Sequence, residues 1–168
     1  MSLQNVNELK NFKNDIFFET GTYEGWLTRI AKDFGFTKVV TIEINNELYN
    51  KAISMSTEYQ DIEFHLGNSV DIMKNILPNY IEEKITFWLD AHPSGYCDEN
   101  TWPIFQELIT IKNYSKRNDH IILIDDIRLF SPEQIEKAKK LALDINPDYK
   151  ISFLEGGSPE DIMVCKIN

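Results

Sequence analysis

Cysteine is nearly missing from this 168-residue chain: only Cys97 and Cys165 occur, with no Cys-x-x-Cys spacing, which argues against a disulfide scaffold and against a cysteine-based zinc site. A reducing cytoplasm is the expected setting. Long apolar runs are missing too, since no stretch approaches the roughly 20 residues that a membrane span needs. The opening Met-Ser-Leu-Gln-Asn-Val-Asn has neither the basic start nor the apolar stretch of a secretion or import signal. Positive charge is scarce: Lys and Arg number 17 against 27 Asp and Glu, a net charge of -10. That balance repels a phosphate backbone, and no basic stripe offsets it, so neither nucleic acid nor a membrane is an expected partner. Repeats and low-complexity linkers are absent as well. What remains is 42% hydrophobic and 26% charged residues, the balance of a soluble globular protein, over a length suited to a single domain spanning 1–168.

Short β-branched or aromatic runs alternate with longer stretches of helical apolar spacing from end to end, which predicts an α/β fold with helices covering a mostly parallel sheet. Strands are expected at 15–20, 38–44, 62–66, 84–91, 120–126, 149–155 and 161–167. Helices are expected at 25–34, 47–59, 70–77, 103–114 and 132–144, with a short leading helix at 6–13. Ser69 and Ser131 are suited to N-caps, and Pro132 to a first helical position. The last two strands are joined by Gly156-Gly157-Ser158-Pro159-Glu160, too short for a helix, and so form an antiparallel hairpin. The apolar runs before Asp90 and Asp125 have the character of central strands buried on both faces. Ligands of such sheets bind at the carboxyl ends of the strands, where strand order reverses.

The first strand runs into Glu19-Thr20-Gly21-Thr22-Tyr23-Glu24-Gly25, an acid followed by two glycines on the way into a helix, which lets backbone approach a ligand closely. The second strand ends Glu43-Ile44-Asn45, placing a carboxylate where it can accept both hydroxyls of a ribose, or where it can favour the start of the next helix. With these two features the chain resembles the class I S-adenosylmethionine-dependent methyltransferases, over nearly its whole length. The resemblance implies a Rossmann-like seven-stranded sheet of order 3-2-1-4-5-7-6 with the last strand antiparallel and helices on both faces. It also implies S-adenosylmethionine as cofactor, held by Glu19, Gly21, Thr22, Tyr23, Gly25, Glu43 and Ile44, with Asn68 and Ser69 against adenine and Asp90 also receiving the cofactor. Asn68 stands where many relatives carry Asp, and the Asn68-Ser69 pair is also suited to capping the following helix.

Asp90 ends the fourth strand and Asp125-Asp126 the fifth, about 5 Å apart in the pairing direction, and clustered acids repel unless a cation or protons neutralise them. This is similar to the metal-dependent catechol-type O-methyltransferases, which implies that Asp90, Asp125 and Asp126 bind magnesium; capping or cofactor contact is the plainer alternative. Pro93 occupies the place of that family's lysine, which leaves His92 and Asp90 as the catalytic candidates, His92 as base. His65 and His120 sit in or at strands and read as structural. Tyr96, Trp102 and Phe105 are candidates for the acceptor wall or for plain core packing.

The expected activity is O-methylation of a small hydroxylated molecule such as a sugar, with divalent metal assistance. The alternative is a catalytically degenerate S-adenosylmethionine-binding module acting through a partner. An arginase-like reading of Asp90-Ala91-His92 fails because Ser94 stands where that family has another Asp, and the first loop lacks the Gly-x-Gly-x-x-Gly of nicotinamide-binding domains. The acceptor site, with few residues left to build a lid, is either open or completed by a second subunit.

Overall fold

The computed structural model describes residues 6–92 and 102–167. Its seven strands are β1 (Ile16–Thr20), β2 (Lys38–Glu43), β3 (Ile62–Leu66), β4 (Ile85–Leu89), β5 (Ile121–Ile124), β6 (Lys150–Leu154) and β7 (Ile162–Lys166). Five α-helices accompany them: α1 (Trp26–Asp33), α2 (Asn46–Ser54), α3 (Ser69–Ile76), α4 (Ile104–Tyr114) and α5 (Pro132–Ile145). The sheet order is β3-β2-β1-β4-β5-β7-β6, with β7 antiparallel to both of its neighbours and the other pairings parallel, as the sequence led us to expect.

Successive residues of a strand face opposite sides, so β1 and β4 feed two cores at once. Ile16, Phe18, Ile85, Phe87 and Leu89 join one core, under α4 and α5. Phe17, Trp88, Val39 and Leu123 join the other, with Leu27 and Ala31 of α1. Phe18 and Phe87 are register partners whose rings tilt against each other at 5.3 Å. This two-sided burial explains why the central strands read as unbroken apolar runs. It also places the reversal of strand order between β1 and β4, at one edge of which the site forms.

Several boundaries differ from expectation for local reasons. The second helix stops at Ser54 rather than continuing to residue 59, and it is started by Asn45, whose side chain accepts the N–H of Glu47 and Leu48. Asn68, not Ser69, caps α3, accepting from Val70 and Asp71, because Asn68 has extended backbone angles and Ser69 is already helical. Ser131 caps α5 as expected, in a reciprocal capping box with Gln134. The leading segment is a 3-10 helix, Asn7–Phe12. Among the described residues, no helix is long and apolar enough to cross a membrane.

Candidate active site at the carboxyl ends of the strands

A cavity of about 800 Å³ opens over the carboxyl ends of β1 to β5, lined on one side by Gly21, Tyr23, Glu43 and Ile44 and on the other by Asp90, His92, Trp102 and Asp126. Asn68 and Ser69, at the start of α3, also line it.

The loop after β1 is drawn in tightly between its neighbours. The N–H groups of Gly21 and Thr22 donate to the Ile42 carbonyl at 2.9 and 3.2 Å, and the Asp90 N–H donates to the Thr20 carbonyl at 3.1 Å. Gly21 has φ +85°, and a Cβ there would lie 2.4 Å from the Asp90 carbonyl oxygen, so only glycine fits. Tyr23 follows with φ 51° and aims its N–H at Glu43 Oε2, 2.8 Å away. Glu43 Oε1 accepts the Asn45 N–H, also at 2.8 Å. Glu43 therefore ties the β1 loop to the β2 turn while its carboxylate remains in the cavity wall, and the capping of α2 falls to Asn45 instead.

Three residues that the resemblance assigned to the cofactor do not line the cavity. Glu19 is buried on the opposite side of the β1 loop, where it accepts from Thr28 and Thr41, and Thr41 is its register partner on β2. Thr22 packs behind it, hydroxyl to hydroxyl with Thr41. Gly25, at φ +71°, makes the turn into α1 against Ala52. All three shape the loop from beneath, because its reversal at Gly21 and Tyr23 turns only those two residues toward the opening.

Burial pushes the Glu19 carboxyl up to about 8, over the opposing effect of the threonine hydroxyls and with some help from Asp90 and Glu43. Between 4.5, where this group titrates when free, and about 8, the unfolded chain has lost the proton and the folded chain keeps it. Stability therefore falls as pH rises through that interval, and Asp125, pushed up to about 8 mainly by burial, acts in the same direction. The melting temperature is expected to decline from pH 5 to pH 8, and Glu19→Gln, measured by calorimetric melting over that range, is expected to flatten the decline. A wild-type profile that rises over the same interval would contradict this account.

At the ends of β4 and β5, His92 Nε2 lies 2.7 Å from Asp126 Oδ2 and 3.3 Å from Asp90 Oδ1, and its ring stacks on Trp102 with centroids 5.8 Å apart. Asp126 holds a left-handed conformation, φ 60°, which swings its carboxylate out of line with the strand. Its other oxygen meets Arg128 Nη1 at 2.5 Å. Arg128 in turn pairs with the fully buried Asp161, which also accepts the Arg128 and Gly157 N–H groups at 3.1 and 2.6 Å. Burial alone would raise the Asp126 carboxyl, yet His92 and Arg128 together hold it below its ordinary value. Asp90 is raised, chiefly by burial.

The three aspartates expected to share a metal do not converge as one set. Asp90, His92 and Asp126 each offer a donor atom within 4.8 Å of the others, whereas Asp125 groups with Asp126 and Asp161. Asp125 Oδ1 accepts the Asp126 N–H, and Asp125 is absent from the main cavity's lining. A donor set containing an imidazole is harder to reconcile with magnesium than an all-oxygen one.

Trp102 walls the cavity as expected, whereas Phe105 packs into the core against Phe130. Tyr96 lies outside the described residues. His120 is structural, accepting the Ile85 N–H in the core, and burial lowers it to about 4. Sequence reasoning missed Arg128, Asp161 and Glu107. The first two meet only through a contact 33 positions apart. Glu107 carried a signal, a charged residue on the apolar face of α4 formed by Ile104, Leu108 and Ile111.

No protein-family model matches the chain, and no curated protein matches it. Solved structures do. An O-methyltransferase from Bacillus cereus, in complex with SAH, superposes with a TM-score of 0.70 at 17% identity, covering 99% of this chain and 82% of that one. The O-methyltransferase TomG from Streptomyces achromogenes, in complex with SAM, gives 0.69 at 14% identity, covering 98% and 78%. The methyltransferase domain of a bacterial CtHen1 gives 0.66 at 16% identity, covering 97% of this chain and 100% of that one. The chain therefore has the Rossmann-like fold that these methyltransferase structures share.

Proposed function

We propose that this protein is an S-adenosylmethionine-dependent methyltransferase that acts on a hydroxyl oxygen of a small acceptor such as a sugar. The observation that carries the reading is one continuous cavity with the Glu43 carboxylate on one wall and the Asp90, His92 and Asp126 cluster on the other. Glu43 uses one lone pair on each oxygen for the Tyr23 and Asn45 amides, which fixes its orientation and leaves capacity for two ribose hydroxyls. Two of the solved structures of like fold bear SAM or SAH.

The sulfonium is already activated, so the protein's contribution is positioning and removal of a proton. The cofactor, when bound, would supply an activated methyl group for direct transfer to the acceptor oxygen, and His92 is placed to take the proton that the acceptor gives up. Asp126, anchored by Arg128, orients that imidazole and stabilises it once charged. A divalent cation, where bound, would be held by Asp90 and Asp126 with His92 within reach, and would acidify a hydroxyl bound to it. The two roles of His92 exclude each other, and magnesium dependence separates them.

The test is transfer of label from methyl-labelled cofactor into a metabolite extract, with magnesium and with chelator. We expect incorporation by the wild type and its loss in Asp126→Ala. Cofactor binding without incorporation into any fraction would favour the degenerate binding module, and unchanged turnover in Asp126→Ala would remove the proposed cluster from the chemistry.

A further inference from the structure

Glu107 projects from α4 into the interior directly behind the cavity. It is completely buried, and Gln106 on the same helix and Pro103 at its N-cap line the opening. Its Oε2 receives the Thr20 hydroxyl at 3.3 Å, and the Thr20 hydroxyl oxygen in turn receives, at 3.3 Å, the Asp90 N–H that it shares with the Thr20 carbonyl. Its Oε1 has no hydrogen-bond partner among the described residues. An unpartnered carboxylate oxygen in the interior is costly, and most costly when ionised. Of the polar groups that act on Glu107, the hydroxyls of Ser69 from α3 and Thr20 from β1 favour its ionised form and Asp90 from β4 opposes it, and no cation is among them.

Resting on the methyltransferase reading, we propose that Glu107 is a positioning residue that makes the cavity sense the charge of its occupant, ionising more fully against a cationic ligand and keeping its resting protonation against a neutral one. Asp90 supplies the electrostatic link. It lines the cavity and its negative charge reaches Glu107, so a cation seated against Asp90 acts on Glu107 with the opposite sign. Burial already places the Glu107 carboxyl at about 7, where a modest field moves it between its two forms. Ionised, Glu107 obliges the Thr20 hydroxyl to donate to it, which frees the threonine lone pairs to hold the Asp90 N–H. The site would then grip the sulfonium form of the cofactor and loosen once the methyl group has left and the sulfur is neutral.

Calorimetric titration of wild type and Glu107→Gln with S-adenosylmethionine and with S-adenosylhomocysteine, at pH 7 in two buffers of different ionisation enthalpy, counts the protons exchanged. The ligand's own amino group titrates near 8, and the difference between the two proteins cancels it. We expect the wild type to release about half a proton more than the variant with the sulfonium ligand, and no more than the variant with the neutral one. A purely structural Glu107 would shift both affinities together and leave the proton counts alike in the two proteins, which overturns the proposal. Should the variant fail to fold, the carboxyl carbon of Glu107 in labelled wild type is followed by NMR over pH. Its midpoint is expected to fall with the sulfonium ligand only, and equal midpoints with both ligands overturn the proposal just as directly. Binding of neither ligand is a different result, because it removes the methyltransferase reading itself.

Discussion

Replacing His92 with alanine is expected to slow methyl transfer by about 10²–10⁴-fold at saturating cofactor while leaving cofactor affinity nearly unchanged. The expectation follows from how the ring is held. One nitrogen is engaged by Asp126 and, at longer range, by Asp90, while Trp102 fixes the plane of the ring. A side chain so constrained presents its proton-accepting function in one place, and alanine removes the function without touching the Glu43 wall. Asp126→Asn should show a smaller loss in the same direction, because an amide keeps the hydrogen bond but not the charge that stabilises an imidazolium. Single-turnover rates with labelled cofactor check both. Full activity in His92→Ala that vanishes with chelator would move proton removal from the imidazole to a bound cation.

Gly21→Ala is expected to destabilise the fold by about 2–5 kcal/mol and to abolish measurable cofactor binding. The backbone at φ +85° costs a residue with a side chain about 1–2 kcal/mol, and forcing a methyl group into a closed contact costs about 1–3 kcal/mol more. The obstructing atom is the Asp90 carbonyl oxygen, part of the β4 backbone, so relief requires the β1 loop to part from the strand that carries Asp90. Gly25→Ala is the control: it shares the left-handed conformation, but its new methyl would meet the Ala52 side chain at 3.0 Å rather than a backbone carbonyl. Its loss should be the smaller of the two in urea unfolding, and a Gly21→Ala protein as stable as wild type would refute the close approach.

Much of this arrangement could be read from residue order. The unbroken apolar runs ending at Leu89 and Ile124 marked the central strands, and the short Gly156–Glu160 link marked the hairpin, because burial on both faces and turn length leave direct imprints on composition. The strand order came with the family resemblance rather than from the pattern itself. What could not be read were backbone directions at single residues. Asp125 and Asp126 are equivalent as letters, yet the positive φ of Asp126 sends one carboxylate toward His92 and leaves the other beneath the strand end. Similarly, Glu19, one residue before the end of β1, and Glu43, at the end of β2, are acids beside the same loop, yet one lies behind that loop and the other in the opening.

The pairing of Arg128 with Asp161 reaches from the end of β5 to the start of β7, so the margin of the sheet is tied to the reactive cluster through a buried carboxylate as well as through the strand ladder. Fraying at that margin would not remain at the margin. If β7 peels away from β5, Asp161 leaves with it, Arg128 swings free of Asp126, and the imidazole loses its brace. Amide exchange in the hairpin and loss of turnover on mild heating should then proceed in step, with the periphery of the sheet setting the endurance of its centre.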